Sequence, residues 1–539
     1  MSARPEGMMR VVTASEMREI DRRAIEEHGV ASLDLMECAG TAAAQAIRGT
    51  GVGEGTPFVF LCGKGNNGGD GFVAARVLRK AGHPVICWII GERDELTAET
   101  LRNVVGAEDC GVVVKPYRPG ESEDAIRADL AASTALVDAL LGTGSKGTLR
   151  PPIRELTRLL NDSRRPVFAL DIPTGVDSDT GATDEDAVRA LGTITFGYPK
   201  RGMYVMPGRD HCGDITVVDL GYPPDNSGSV TGVLLWQEVG SYCPPRDARG
   251  HKGSFGRVAV VAGSPGMTGA ACLASEAALR SGAGVVKLLV PESLVTLCAT
   301  KLTEVMVFGL PEEPGGVLGA AAVDACAPFL GEADAVLLGP GLSMADSVRD
   351  FVRSVLPRID RPLVLDADGL NALEEDDTGA ASGLAGGRAI ITPHVGELAR
   401  ITGRTPEELL GDPVASARYA AGDLRCEVIF KGSPSIVASP GGSADLCSLG
   451  TDAMATAGSG DVLAGLLTGI LAQGYEASAA ARVGVMVHSR AGDIAAGELS
   501  RRGTLAGDIL RCVPYAWRDL EAPAEEASPD ETGEGADGE

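Results

Sequence analysis

Short apolar runs alternate with helix-like stretches along almost the whole chain, and this alternation most constrains how it can fold. Runs at 58–61, 85–90, 112–114, 135–139, 167–170, 193–196 and 215–218 are separated by amphipathic or alanine-rich segments. The pattern restarts at 258–262, 285–290, 305–308, 335–338, 363–365, 389–391, 428–430 and 436–438. Strands of this kind, each followed by a helix, build a mostly parallel sheet covered on both faces. Between 221 and 252 the chain turns polar and is broken by proline and glycine, which marks a boundary. A chain of 539 residues is too long for one ordinary core. The expectation is an α/β protein of two fused domains, residues 1–225 and 226–520, with a tail at 521–539. The first domain is read as a Rossmann-like doubly wound sheet.

Charge narrows the ligand class. The formal net charge is −26, and the tail alone holds eight acidic residues and no basic one. Without it the balance is still −18, which argues against nonspecific nucleic-acid binding. The tail reads as disordered and solvating. No apolar run approaches a membrane span, and the first residues lack the apolar core of a signal peptide. The expectation is a soluble cytoplasmic protein without membrane or nucleic-acid partners. The twelve cysteines form no Cys-x-x-Cys pair and read as reduced, mostly buried small residues.

Three loops of the first half carry chemistry. CGKGNNGGDG at 62–71 joins a strand to a helix; its glycines admit positive φ and close approach of a ligand. The helix N-terminus behind them favours a phosphate. VDALLGTGSKG at 137–147 and LDIPTGVD at 170–177 are also strand ends, each with an acid. In parallel sheets such ends converge on the ligand crevice. Asn67 and Asp138 offer oxygens to a hard cation, and Asp171 is a candidate base. The plainer readings are structural turns for the loops and helix N-caps for the acids.

These residues, together with ASEMREID at 14–21 and LMECAG at 35–40, resemble the NAD(P)H-hydrate epimerases over about residues 10–222. The resemblance implies that Asn66, Asn67, Gly68, Gly69 and Asp70 cradle a hydrated dinucleotide. Gly142, Thr143, Gly144, Ser145, Lys146, Gly147 and Thr148 would share that role, with Asp171 against the nicotinamide. It also implies a potassium ion held by Asn67, Asp138 and Thr174. Threonine stands at 174 where the family usually has serine, and Cys38 stands where it has asparagine.

In the second half, TAGSGDVL at 456–463 precedes a strongly apolar helix. Its N–H groups form an anion pocket for a transferring phosphoryl group, and Asp461 beside it is either a general base or an N-cap. The Gly-x-Gly-Asp element resembles the ribokinase-like fold. The ordered series GHKGSFG 250–256, GMTGA 266–270, LGPGL 338–342, LDADGLN 365–371, TPHVGE 392–397 and FKGS 430–433 narrows this to the NAD(P)H-hydrate dehydratases, over about 235–515. The resemblance implies that Ala270, Gly341, His394 and Asp461 contact the hydrate. Lys431, Gly432, Ser433, Pro434, Ser435 and Gly460 would hold the adenine nucleotide. The family's His-Pro-Gly-Glu reads His-Val-Gly-Glu here, without the stiffening proline. His488 and His211 read as structural.

Jointly the resemblances imply a bifunctional enzyme that epimerises NADHX and NADPHX, the hydrated cofactors, and dehydrates the S form. ADP is the expected co-substrate, with ATP left open. Magnesium is expected in the second domain, with Asp366, Asp368 and Glu397 as candidates, and the chain is expected to form a homo-oligomer. Two other classes remain open. One is a vitamin or sugar kinase with a regulatory dinucleotide-binding first domain; the other is a first half serving only as a binding scaffold.

Overall fold

The computed structural model describes residues 9–52, 56–222, 230–374, 384 and 387–521. The expected boundary at 225/226 and nearly all of the tail lie outside them. Seven strands form a fully parallel first sheet, in the spatial order Val113–Pro116, Val85–Ile89, Phe58–Cys62, Ala135–Ala139, Val167–Leu170, Gly192–Phe196, Asp214–Val218. The chain therefore winds outward in both directions from the pair Phe58–Cys62 and Ala135–Ala139. Such a reversal opens a crevice at the carboxyl ends of the strands. Every side chain of Phe58–Cys62 is buried, because helices cover both faces. Phe58, Phe60 and Cys62 enter one apolar core, and Val59 and Leu61 the other.

After the short strand Met9–Val11, the chain forms two helices, Ala14–Glu26 and Ser32–Gly49. They part near Gly29, whose φ of +71° suits a residue without Cβ. Thr13 caps the first, accepting from Glu16 N at 3.2 Å while Glu16 accepts from Thr13 N at 2.7 Å.

The second sheet has eleven strands. Its parallel part runs Met306–Leu310, Val285–Pro291, Arg257–Val261, Ala335–Leu338, Leu363–Leu365, Ala389–Ile391, Glu427–Phe430. Ile436–Ala438 and Ala444–Cys447 continue it antiparallel. Like Ala444–Cys447, the two strands that complete it are absent from the sequence reading: Thr231–Leu234 and, at the edge, Met9–Val11. Met9 pairs with Val233 and Val11 with Thr231, so the start of the chain belongs to the second sheet although the next two hundred residues build the first. Three residues are too few to show a strand period. Among the described residues no helix is long and apolar enough to cross a membrane.

Two helices position the loops of the second half. Thr268–Arg280 and Ser459–Ala472 lie against each other without space for side chains at the crossing. A Cβ on Gly465 would collide with the carbonyl of Ala274, and one on Gly469 with Ser281 Oγ. Gly465→Val is therefore expected to force the pair apart, costing at least the 1–3 kcal/mol typical of overpacking, roughly. Thermal unfolding of the variant should show a lowered midpoint.

Candidate active sites

At the first switch point the strand Phe58–Cys62 ends in a turn that only glycine permits. A Cβ on Gly63 would strike the Leu140 carbonyl, and one on Gly68 the Gly63 carbonyl. The helix Asn66–Lys80 starts there and faces a cavity of about 880 Å³. Asn66, Asn67, Asp70, Gly142, Thr143, Gly144, Ser145 and Asp171 line it. Gly68 and Gly69 instead lie buried beneath the loop, and Lys146, Gly147 and Thr148 are exposed outside the lining.

Asn67, Asp138 and Thr174 come together in one corner. Asp138 is fully buried and accepts from Thr174 N and Thr174 Oγ1, both at 2.8 Å, and from Leu140 N at 3.2 Å. Burial pushes its carboxyl up to about 6 even though those hydrogen bonds pull it down. Asn67 Nδ2 donates to the Leu141 carbonyl at 3.0 Å, while Asn67 Oδ1 is buried without a partner. The orphaned Asn67 Oδ1, the Leu141 carbonyl and the Asp138 carboxyl are oxygens of the kind a hard cation takes.

The sequence reading missed the cation already present. Lys200, 1% exposed, directs Nζ onto Asp171 Oδ1 and also bonds Thr195 Oγ1 at 2.9 Å and the Phe196 carbonyl at 3.1 Å. Asp171 Oδ2 accepts from Thr143 N at 3.2 Å. The Asp171 backbone, at φ +65°, is anchored by its N–H on Ile194 O at 2.8 Å. Asp21 and Tyr222 line the same cavity, and the Tyr222 hydroxyl donates to Asp21. Burial pushes Asp70 well up, and the nearby Asp171 charge adds to it. Burial likewise raises Asp21. One ammonium thus serves three carboxyl groups, and two of them lean toward the protonated form. Nothing in local spacing links Lys200 to Asp171; only the neighbouring strands bring them together.

In the second half, Gly458 at φ +92° caps the helix Ser459–Ala472 and leaves Asp461 in its first turn. Burial, then the charges of Asp366 and Asp368, push Asp461 up to about 7, with Lys431 opposing. Gly460 sits beside Lys431 Nζ and Asp366 Oδ2, so a side chain there would enter this cluster. Lys431 Nζ lies 2.9 Å from Asp366 Oδ1 and 3.5 Å from Glu397 Oε2, and Thr392 Oγ1 donates to Asp366 Oδ1 at 2.6 Å. Gly341, at φ +63°, has Ala270 Cβ and the Met267 carbonyl at its open side, which joins Ala270 to Gly341. Lys431 to Ser435 form the turn between Glu427–Phe430 and Ile436–Ala438, with a cis bond before Pro434.

His394 is the N-cap of the helix Val395–Thr402. Its Nδ1 accepts from Gly396 N at 2.9 Å and Glu397 N at 3.2 Å, and Glu397 Oε2 accepts from His394 N at 2.8 Å. The ring is therefore fixed through Nδ1 without the family's proline, and it stays half exposed. The expected magnesium ligands are engaged otherwise: Asp366 and Glu397 with Lys431, Asp368 with Ser343 N at 2.8 Å. Among the described residues no group of three His, Cys, Asp or Glu could hold a metal. His488 is buried beside Ser459 at 3.3 Å, and burial lowers it to about 4.

Two family models match, one described as YjeF-related protein N-terminus over residues 32–202 and one as NAD(P)H-hydrate dehydratase over 258–514. The chain is 38% identical to the bifunctional NAD(P)H-hydrate repair enzyme Nnr of Moorella thermoacetica, over 96% of this chain and 98% of that protein. The chain belongs to this family. Identity to the protein of the same name from Escherichia coli K12 is 31%, over 92% of both chains. Among solved structures, a Bacillus subtilis ADP/ATP-dependent NAD(P)H-hydrate dehydratase co-crystallized with ATP/Mg2+ aligns with 54% of this chain and 98% of its own, at 29% identity and TM-score 0.46.

A carboxyl whose folded pKa lies above its unfolded value favours the folded state fully below the unfolded value and loses that contribution as pH rises through the folded one. For Asp461 the window runs from the ordinary aspartate range to about 7. Asp461→Asn is therefore expected to raise the thermal midpoint at about pH 8 and leave it nearly unchanged at about pH 4. Calorimetry at the two values checks this.

Proposed function

We propose that this chain repairs hydrated nicotinamide cofactors in two steps at two sites. The first site interconverts the R and S forms of NADHX and NADPHX; the second dehydrates the S form with ADP or ATP. The reading is supported by a near-full-length kinship to bifunctional repair enzymes in a chain whose two halves each hold an acid at a Gly-rich strand-to-helix site.

Water added across the C5–C6 bond leaves a hydroxyl on C6, and hydroxide is a poor leaving group. At the second site Asp461 takes the proton of that hydroxyl as its oxygen attacks the terminal phosphoryl group of the nucleotide. The helix N-terminus at Gly458–Gly460 faces the developing charge. The ring nitrogen lone pair then expels phosphate from C6, and loss of a C5 proton restores the double bond. With ADP the balance is hydrate plus ADP to NADH or NADPH, AMP and phosphate. Lys431 to Ser435 hold the nucleotide, while Ala270, Gly341 and His394 orient the hydrate. Magnesium would arrive with the nucleotide phosphates and screen their charge.

At the first site Asp171 handles the proton of the C6 hydroxyl, fixed by Lys200 on one oxygen. Asn66 to Asp70 and Gly142 to Ser145 hold the dinucleotide. A potassium ion fits the corner formed by Asn67 Oδ1, the Leu141 carbonyl, Thr174 and Asp138, where it would supply fixed positive charge beside the phosphates. Potassium is accordingly expected to raise the thermal midpoint of the wild type and to have no effect on Asp138→Asn.

Incubating the protein with hydrated NADH and ADP or ATP, and following the near-ultraviolet absorbance of reduced nicotinamide, tests the whole reading. Recovery is expected; none with either nucleotide would overturn it, and a stable phosphorylated product would point to a kinase. Asp461→Asn is expected to lose about 10²–10⁴-fold in dehydration. Asp171→Ala should lose interconversion while still dehydrating the S form; retained epimerisation would refute its role.

A further inference from the structure

The strap that carries Lys200 into the first site is tied to the second half. Val12, directly after the strand Met9–Val11 of the second sheet, donates to Pro199 O at 3.0 Å, and Arg201 N donates back to Val12 O at 2.8 Å. The Arg201 side chain is buried, at 6% exposure. Its Nη2 donates to Asp412 Oδ2 at 2.8 Å, and its Nε donates to the Asp179 carbonyl. Asp179 in turn accepts from Ala14 N at 2.6 Å, at the start of the helix that bears Asp21, and pairs with Lys146 of the 142–148 loop. Asp412 belongs to the other half, where its Oδ1 caps the helix Pro413–Leu424 through Ala415 N at 3.0 Å.

We propose that Asp412 is a positioning residue for the epimerase site: by holding Arg201 it fixes the adjacent Lys200 on Asp171. This rests on the functional reading above. A buried guanidinium deprived of its carboxylate is drawn toward water, and that movement displaces the strap. Lys200 has no slack to absorb the shift, since Nζ already serves Asp171, Thr195 and Phe196. The dehydratase half thereby completes the site that supplies its substrate.

Two substitutions separate this contact from the helix cap. Serine at 412 still caps the helix but is too short to reach Arg201; asparagine also caps it, but with its one oxygen on Ala415 N it turns an amide N–H, a donor without charge, toward Arg201. In the full chain, Asp412→Ser is expected to lower kcat for epimerisation of the R form about tenfold, since small misplacements of catalytic groups cost that much or more. KM for the R form and the dehydration rate of the S form should each stay within about twofold. Asp412→Asn should lower epimerisation as Asp412→Ser does and likewise spare dehydration. Unchanged epimerisation in Asp412→Ser, or a parallel fall of both activities, overturns the proposal. A wild type that dehydrates but does not epimerise overturns the epimerase reading and the proposal together, whereas an epimerising wild type with an unaffected Asp412→Ser overturns the proposal alone.

Discussion

Each half of the chain neutralises a strand-end aspartate with a lysine that enters from a later strand. In the first half Asp171, after Val167–Leu170, meets Lys200 from beyond Gly192–Phe196. In the second Asp366, after Leu363–Leu365, meets Lys431 from the end of Glu427–Phe430. Parallel strands make this possible, because all their carboxyl ends open on the same edge. An isolated buried charge of either sign would be costly, so each site stands only as a pair.

The pair also sets the chemistry of its neighbours. With one ammonium committed, the remaining carboxyl groups feel burial and a like charge with little relief. Asp461 rises to about 7 beside Asp366, and Asp70 rises beside Asp171. A carboxyl poised near neutrality is suited to take a proton from a hydroxyl in one step and release it in the next. The helix N-termini at Gly65 and Gly458 then add directed N–H groups without adding charge. Both sites are thus built from one device, while their loops decide what each binds.

Much of this was legible in the sequence. All seven strands of the first sheet appear as apolar runs, and in the five inner ones burial on both faces leaves no room for polar alternation. Thr174 bonds Asp138 directly and shares the Leu141 carbonyl with Asn67, because each ends or follows a neighbouring strand. What escaped has no local period. Lys200 lies 29 residues from Asp171, and their contact comes from strand order alone. Ala444–Cys447 was hidden because Asp445 breaks the apolar run; Arg482 Nε reaches that charge at 2.7 Å from a distant helix. At His394 the missing proline proved immaterial to the turn, since the Glu397 capping box holds it.

The central claim is that two complete and separate sites on this chain act in sequence. It is tested most directly by mixing two inactivated proteins. Asp171→Ala with Asp461→Asn, in equal amounts with both epimers of hydrated NADH and ADP, should recover all the cofactor. The second protein still epimerises and the first still dehydrates. A mixture that stalls where Asp171→Ala alone stalls would contradict the account.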